Sequence, residues 1–295
     1  MYGYNVSVQQ FENGETVVSY YRNGVNVMNA SEKSFMKDVR SKRDTDIPAL
    51  DSTEYFVNNP FTGEYAFVTD VDALEYVKQK KEHSLQSSYT RTKKNIYDYA
   101  RCVKWEYFIT LTYDSKKVDR YDFDTCMKKA RQWFNNQQKR YSSTLKYLIV
   151  PEQHKDGAWH VHGLVSNTGN MSIVDSGKRI GKQVVYNLSG WKNGFSTATV
   201  VTDTYKVSGY IVKYITKDLC SVSEGKRRFY HSNNLELPQK KIFDVPRDKI
   251  DEFIKILSES LGATVTWRSD VGGYLDTSYI HLQNRKEEKE DGTEN

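Results

Sequence analysis

The alternation of apolar and polar residues along the chain changes in character near residue 90. Before this point, short alternating runs are separated by turn signals such as Asn13-Gly14 and Asn23-Gly24. This pattern predicts short strands and loops, followed by a helix near Val71–Lys81. No grouping of residues in this stretch indicates chemistry, and we therefore interpret residues 1–88 as an accessory region.

Longer periodic segments follow from Thr90 onward. The predicted elements are a basic helix at Arg91–Val103, a strand at Phe108–Thr112, a helix at Asp122–Arg140, strands at Lys146–Glu152 and Trp159–Ser166, a helix from Tyr205 to Leu219 and an amphipathic helix at Arg247–Ser260. The order strand, helix, hairpin, helix is typical of an α+β fold, in which helices cover one face of an antiparallel sheet. The chain then divides into the accessory region 1–88, a main domain 89–245, a C-terminal helix and strand extension 246–283, and a disordered tail 284–295.

Composition favours a polyanionic partner only mildly, because the formal net charge of the 295-residue chain is +5. The 22 tyrosines are more informative, since many stand beside Lys or Arg. Aromatic rings interleaved with cations suit stacking on unpaired bases, although a tyrosine-rich chain can also use its rings to build a sheet. The candidates for direct contact with single-stranded DNA are Lys226, Arg227, Arg228, Tyr230 and Trp191, and the alternative for the 226–230 run is a solvated loop.

Several classes of protein are not indicated. The three cysteines are odd in number and widely spaced, so they form neither a disulfide framework nor a CxxC pair. No secretory signal and no long apolar run is present, so we expect a soluble, cytoplasmic protein without a membrane partner. No GxxxxGK[ST] phosphate loop occurs, so DNA unwinding would depend on a separate motor such as a host helicase.

The clearest chemical signal is His160-Val161-His162 on a predicted strand. Alternate side chains of a strand point to the same side, so both imidazoles share one face. The preceding Asp156-Gly157 turn signal predicts a hairpin that places Glu152 opposite His160, with Cβ atoms about 5 Å apart. A shift of one residue in register would move Glu152 to the other face.

Two imidazoles and a carboxylate predict a divalent metal site with open positions, which suits Mg²⁺ or Mn²⁺ and could also hold Fe²⁺ or Zn²⁺. The turn residue His154 is either a competing ligand or a solvated side chain. The same ligand set also describes a non-haem iron oxygenase, which would leave the tyrosines described next without a role.

A second signal is a stripe on the predicted helix between residues 205 and 219. Helical spacing places on one face Tyr210, Lys213, Tyr214 and Lys217. The opposite face is apolar and carries Ile211, Val212, Ile215 and Leu219. A phenol has a pKa near 10 and becomes a useful nucleophile only where cations or a metal stabilise the phenolate. The alternative is an amphipathic helix whose polar face meets solvent.

Together these segments resemble the HUH endonucleases, a family named for its histidine-hydrophobe-histidine motif. Phe108–Thr112 is similar to the family's first motif, His160–His162 to its second, and the two tyrosines of residues 210–217, each followed by a lysine, to its third in the two-tyrosine form. The wider chain looks like rolling-circle replication initiator (Rep) proteins of Gram-positive plasmids and phages. The resemblance implies a sheet of about five antiparallel strands like that of an RNA-recognition fold, in the domain 89–245.

The resemblance also implies roles for individual residues. Glu152, His160 and His162 would ligate a divalent metal ion, Mg²⁺ or Mn²⁺. Tyr210 and Tyr214 would be the nucleophiles, with Tyr214 attacking first. Lys213 and Lys217 would hold phosphate or assist proton transfer.

The expected function is to nick one strand of single-stranded or extruded origin DNA, leaving a 5′-phosphotyrosine and a free 3′-hydroxyl. A host polymerase would extend that hydroxyl, and the strands would later be rejoined. Two alternatives remain. One is a relaxase or transposase with the same chemistry, and the other is a non-catalytic protein that binds single-stranded nucleic acid without a metal.

Overall fold

A computed structural model of the chain describes residues 2–12, 14–27, 55–58, 65–68, 85–86, 88–215, 219, 226–271 and 276–284. The predicted helix near Val71–Lys81, Lys217 and the tail from residue 285 lie outside these residues. Contacts divide the chain into two compact units. One comprises Ser52–Leu237, and the other combines Met1–Asp51 with Pro238–Asn295.

The strands are, in chain order, β1 (Tyr2–Gln10), β2 (Glu15–Val27), β3 (Tyr55–Asn58), β4 (Tyr65–Val68), β5 (Tyr107–Thr112), β6 (Lys146–Gln153), β7 (Trp159–Ser166), β8 (Ile173–Ile180), β9 (Gln183–Leu188), β10 (Ser196–Val200), β11 (Tyr230–His231), β12 (Lys240–Phe243), β13 (Ala263–Val271) and β14 (Thr277–Asn284). The helices are α1 (residues 88–100), α2 (Phe123–Arg140), α3 (Thr204–Ile211) and α4 (Ile250–Ser260). Short 3₁₀ segments follow α3 at Val212–Tyr214 and precede α4 at Arg247–Lys249.

The larger unit is built on a seven-stranded antiparallel sheet in the order β11-β6-β7-β5-β10-β9-β8, and β3 and β4 form a separate two-stranded pair. This confirms the α+β class and the antiparallel sheet. The expected sheet of about five strands is extended at both edges. The two-residue strand β11 lies beside β6, and the largely exposed strand β8 lies beside β9.

The register of the central hairpin is the one that the turn signal predicted. Glu152 of β6 pairs with His160 of β7, and Val150 pairs with His162. On the other side of β7, Thr110 of β5 pairs with His162. The two histidines, Glu152 and Thr110 therefore share one face of the sheet.

Helices contact both faces of this sheet, whereas the sequence pattern predicted helices on one face. On one face, α2 packs through Phe123 against Trp159 of β7 and through Phe134 against Tyr147 of β6, with ring centroids 4.9 Å and 4.2 Å apart. The 3₁₀ segment after α3 contacts the other face, where the ring of Tyr214 lies on His162 of β7. Apolar residues line both faces of the central strands, and this explains why both need cover.

The helix that carries the tyrosines is shorter than predicted. It is α-helical from Thr204 to Ile211 and continues as a 3₁₀ segment through Tyr214. Its apolar back is confirmed at Ile211, Ile215 and Leu219, all of which are buried. Ser208 also anchors the helix, because its hydroxyl donates to the carbonyl oxygen of Ala100 at 2.9 Å.

The smaller unit joins the two ends of the chain. Its antiparallel sheet has the order β12-β1-β2-β14-β13, so strands from the N-terminal segment pair with strands from the C-terminal segment. Its core contains residues of these strands and of α4, among them Val6, Val18, Ile250, Ile254 and Ile280. The sequence pattern assigned the two segments to separate regions, because local periodicity does not encode which distant strands pair.

None of the helices in the described ranges is both long enough and apolar enough to cross a membrane.

The central glycine of β7 provides a test of the sheet packing. A Cβ at Gly163 would lie 2.7 Å from Cγ2 of Ile149 and 3.0 Å from the carbonyl oxygen of Leu148. We expect Gly163→Ala to reduce the free energy of unfolding by about 1–3 kcal/mol, measured by urea denaturation, because neighbouring strands must shift.

Gly209→Ala is the matched control for this substitution. A Cβ at Gly209 meets no atom within 4 Å, and the residue lies inside α3. Alanine should stabilise that helix by up to about 1 kcal/mol. An unfolding midpoint for Gly163→Ala at or above that of the wild type would contradict the packing described.

Candidate functional site

His162 is the best-connected residue of the site and is almost fully buried. Its Nε2 lies 2.7 Å from Oε2 of Glu152, and its Nδ1 lies 3.0 Å from Oγ1 of Thr110. With Nε2 protonated, the imidazole donates to the carboxylate and accepts from the threonine hydroxyl. The hydrogen bond from His162 lowers the pKa of Glu152, although partial burial opposes this shift.

A second imidazole approaches the same carboxylate. Nε2 of His154 lies 3.3 Å from Oε2 of Glu152. The possible ligand atoms of Glu152, His154 and His162 all lie within 4.8 Å of one another. Ligand atoms that surround a divalent ion at about 2.1 Å are themselves about 3 Å or more apart, so these three groups can hold one after small movements.

His160 lies beside this cluster and contacts it by stacking. Its ring is nearly parallel to that of His154, with an interplanar angle of 4° and 3.6 Å between centroids. Burial lowers the pKa of His160 to about 4, and the neighbouring imidazoles of His154 and His162 contribute to this shift. At neutral pH the ring is therefore uncharged, the form that ligates metals. The predicted pairing of His160 and His162 as ligands thus becomes, in this arrangement, a pairing of His154 and His162.

The two tyrosines lie directly over the cluster. The ring of Tyr214 stacks on that of His162 with 3.7 Å between centroids and an interplanar angle of 12°. The Tyr214 hydroxyl donates to the Tyr210 hydroxyl at 3.0 Å. Phe108 of β5 supports both phenols, because its ring lies 5.2 Å from that of Tyr210 and 6.2 Å from that of Tyr214.

The phenols differ in their surroundings. Tyr210 is 44% exposed, whereas Tyr214 is partly buried. Burial raises the pKa of Tyr214, and the hydrogen bond to Tyr210 and the charge of Glu152 raise it further. The cation predicted beside them is present, with Nζ of Lys213 5.4 Å from the centroid of the Tyr210 ring. Lys217, predicted for the same stripe, lies outside the described residues.

A cavity of about 500 Å³ opens beside the tyrosines. Its floor is formed by Phe108 and Thr110 of β5 and by Thr197 and Thr199 of β10, which pair across the two strands. Its walls come from α3 on one side and from the β8–β9 hairpin on the other. Hydroxyl groups, an aromatic ring and the two phenols therefore face one space.

Trp191 does not line this space, which corrects its assignment as a nucleotide contact. Its side chain is only 4% exposed, and its indole N–H donates to the carbonyl oxygen of Thr112 at 2.9 Å. The ring packs edge-on against Tyr113 and Trp133. A buried indole with its donor occupied is a core residue and is not available for stacking on a base.

The basic segment at 226–230 lies away from the cluster. Nζ of Lys226 is 2.7 Å from Oδ2 of Asp124, and the guanidinium of Arg131 lies over the ring of Tyr230 at 5.2 Å. Both partners belong to α2, which covers the face opposite to His162. The remaining two candidates are Arg227, which is exposed, and Arg228, which is hydrogen-bonded to Ser88. Their role in binding DNA stays a prediction.

Sequence reasoning missed Thr110 and gave His154 only as an alternative. Thr110 orients His162, and the signal available was its place in the strand that precedes the histidine motif. His154 reaches Glu152 because residues 154–158 form a tight turn, in which the amide of His154 donates to the carbonyl of Ala158 at 2.9 Å. The direction of a turn side chain does not follow from strand periodicity.

Residues 106–219 match a family model described as a replication-associated protein of the ORF2 type. The matched segment begins next to β5 and includes the β6–β7 hairpin and both tyrosines, and it covers less than half of the chain. No curated protein and no solved structure matches the chain. The family match supports a replication-associated function.

The hydrogen bond from Thr110 can be tested through metal affinity. A threonine hydroxyl can accept as well as donate, so it remains paired with Nδ1 of His162 when a cation replaces the proton on Nε2. We expect Thr110→Val to weaken Mn²⁺ binding by about 10–100-fold, measured by isothermal titration calorimetry. Thr110→Ser, which keeps the hydroxyl, should retain most of the affinity. Equal Mn²⁺ affinity of the valine variant and the wild type would exclude this orienting role.

The coupling between the two phenols can be tested by titration. Tyr210→Phe removes the acceptor of the Tyr214 hydrogen bond, which stabilises the protonated phenol. The pKa of Tyr214 should therefore fall, measured from the ¹³Cζ shift of labelled tyrosine against pH. Tyr141→Phe, an exposed tyrosine at the end of α2, should leave that pKa unchanged. A pKa of Tyr214 that does not move in Tyr210→Phe would contradict the contact.

Proposed function

We propose that this protein is a replication initiator that nicks one DNA strand by tyrosine attack, assisted by a divalent metal ion. One observation carries the proposal. The ring of Tyr214 lies flat on His162, and Nε2 of that histidine is 2.7 Å from the carboxylate of Glu152. A candidate nucleophile and a candidate ligand group are therefore in direct contact, on a segment that matches a replication-associated family.

Glu152 and His162 would hold the ion, and an imidazole of the stacked pair His154 and His160 would complete the set. The donor set of one carboxylate and neutral imidazoles suits Mn²⁺ or Mg²⁺. When bound, such an ion supplies Lewis-acid polarisation of a non-bridging oxygen of the scissile phosphate. Thr110 fixes the ring of His162 in the orientation that this binding requires.

Tyr214 is the first nucleophile in this proposal. Its Oη forms a bond to phosphorus while the bond from phosphorus to the 3′-oxygen breaks. The products are a 5′-phosphotyrosine and a 3′-hydroxyl, and the leaving 3′-oxygen takes up a proton. The phenolic proton leaves along the hydrogen bond to Tyr210, which is exposed to solvent. Lys213, whose ammonium group lies near the Tyr210 ring, supplies positive charge for the phosphate.

Tyr210 provides a second acceptor within hydrogen-bonding distance of the first. After one round of synthesis, its attack on a newly made junction would transfer the strand and release the circle. Phosphotyrosine keeps the energy of the broken phosphodiester, so the 3′-hydroxyl can also attack it to rejoin the strand. The partners implied are single-stranded or extruded origin DNA, together with a host helicase and polymerase.

The test uses the two phenols separately and together. In the presence of Mn²⁺, the wild type should form a covalent adduct with labelled single-stranded origin DNA and nick a supercoiled origin plasmid. Tyr214→Phe should lower the rate of adduct formation by at least about 100-fold, and the double variant with Tyr210→Phe should form none. EDTA should abolish the reaction of the wild type.

Tyr205→Phe, an exposed tyrosine of the same helix, is the control and should form adduct at the rate of the wild type. Undiminished nicking by the double variant would remove the proposed mechanism. Metal-independent binding without an adduct would instead identify a non-catalytic nucleic-acid-binding protein. A relaxase or transposase would form the same adduct, and dependence of plasmid replication on Tyr214 in cells would separate an initiator from both.

A further inference from the structure

The β8–β9 hairpin is the most exposed regular element of the larger unit among the residues that the structure describes. Nearly every residue of β8 is accessible to solvent, on both of its faces. At its tip, Ile180 is 67% exposed, and Val174 further back is 51% exposed. The two strands pair up to Ile180 and Gln183, so the tip is an ordered ribbon with a tight turn.

Positive charge surrounds this exposed isoleucine. Lys178 and Arg179 precede it, and Lys182 follows it across the turn. The guanidinium of Arg179 is paired with Asp175 of the same strand, and Nζ of Lys178 lies 5.8 Å from the centroid of the Phe195 ring. An apolar side chain displayed among cations is a common feature of protein surfaces that contact DNA.

The hairpin is fixed at the rim of the cavity beside the tyrosines. Ile180 and Gln183 line that cavity together with Tyr210 and Tyr214. The side-chain amide of Gln183 also donates to the carbonyl oxygen of Val200 at the end of β10. DNA bound on the ribbon would therefore lie next to the strand that enters the cavity.

We propose that the β8–β9 hairpin binds double-stranded DNA that flanks the nicked single strand. Lys178 and Lys182 contact phosphates, and Ile180 packs against the exposed edge of the duplex where the strands separate. The inference rests on the proposed function, because it takes DNA as the substrate of the neighbouring site.

Duplex DNA fits this element better than a single strand does. A two-stranded β-ribbon fits the major groove, and both faces of β8 are accessible for entry into it. Single strands are held mainly by aromatic platforms, and the tip from Lys178 to Lys182 contains no aromatic residue. An aliphatic side chain flanked by lysines instead suits insertion at base steps and contacts with phosphates.

The test measures binding of a fluorescent duplex of about 20 base pairs, two helical turns, and of one of its strands alone. Each phosphate contact adds about 0.9 to the slope of log affinity against log salt concentration, so Lys178→Gln/Lys182→Gln should reduce that slope by about 1.8 for the duplex. Between about 50 and about 200 mM salt, wild-type affinity should then fall about 12-fold more than that of the variant. Ile180→Ser should weaken duplex binding by about tenfold and leave the slope unchanged. Affinity for the single strand should change little in either variant.

Lys128→Gln/Lys139→Gln is the matched control, since it removes two charges from α2 on the opposite face of the sheet. This control should bind the duplex with the slope of the wild type. An unchanged slope in Lys178→Gln/Lys182→Gln, or an equal loss of affinity for the single strand, would overturn the inference.

Covalent adduct formation on single-stranded DNA separates this inference from the proposed function. Lys178→Gln/Lys182→Gln should still form the adduct, because neither lysine belongs to the tyrosine and metal site. A wild type that forms no adduct would defeat the proposed function and leave the duplex measurement intact. An adduct in both proteins with unchanged duplex binding would defeat the inference alone.

Discussion

The pairing register of β6 with β7 is the constraint on which the candidate site depends. It places Glu152 on the face of His160 and His162, and it places Trp159 and Tyr147 on the face that α2 covers. A slip by one residue would remove the carboxylate from the imidazoles and expose the aromatic rings to water at the same time. The site therefore inherits its geometry from a strand pairing that the hydrophobic core already requires. The turn after Gln153 adds to this, because the backbone of His154 and Ala158 closes the hairpin at one length.

His162 then links the parts of the site through its two nitrogens and one ring face. Thr110 holds Nδ1, Glu152 meets Nε2, and Tyr214 covers the ring. A change in the orientation of this imidazole would move the ligand atom and the phenol together. This coupling matters for phosphodiester chemistry, because the rate depends on holding the attacking oxygen and the polarised phosphate within a fraction of an ångström of their reactive positions.

Local patterns were sufficient for much of this site. Strand alternation and the Asp-Gly turn signal predicted that Glu152 and His162 share a face, and helical spacing predicted the apolar back of the tyrosine helix. They were insufficient where geometry depends on distant contacts. The orientation of His154 depends on turn dihedrals, and Trp191 looks like an exposed loop residue until Tyr113 and Trp133 are seen to enclose it. Pairing of the first strands with the last ones is decided by burial of a shared core, which no local period records.

The two phenols are unequal, and their inequality has a physical use in the proposed reaction. Tyr214 is partly buried against His162, so water competes less for the phosphate that it attacks, but burial and the charge of Glu152 also raise its pKa. Deprotonation of this phenol therefore becomes favourable only when the charge of Glu152 is compensated, which ties nucleophile activation to occupancy of the ligand cluster. Tyr210 is exposed at the rim of the cavity and linked to Tyr214 by one hydrogen bond. It is placed to carry the proton away in the first step and to receive a strand in the second, after the inner phenol is covalently occupied.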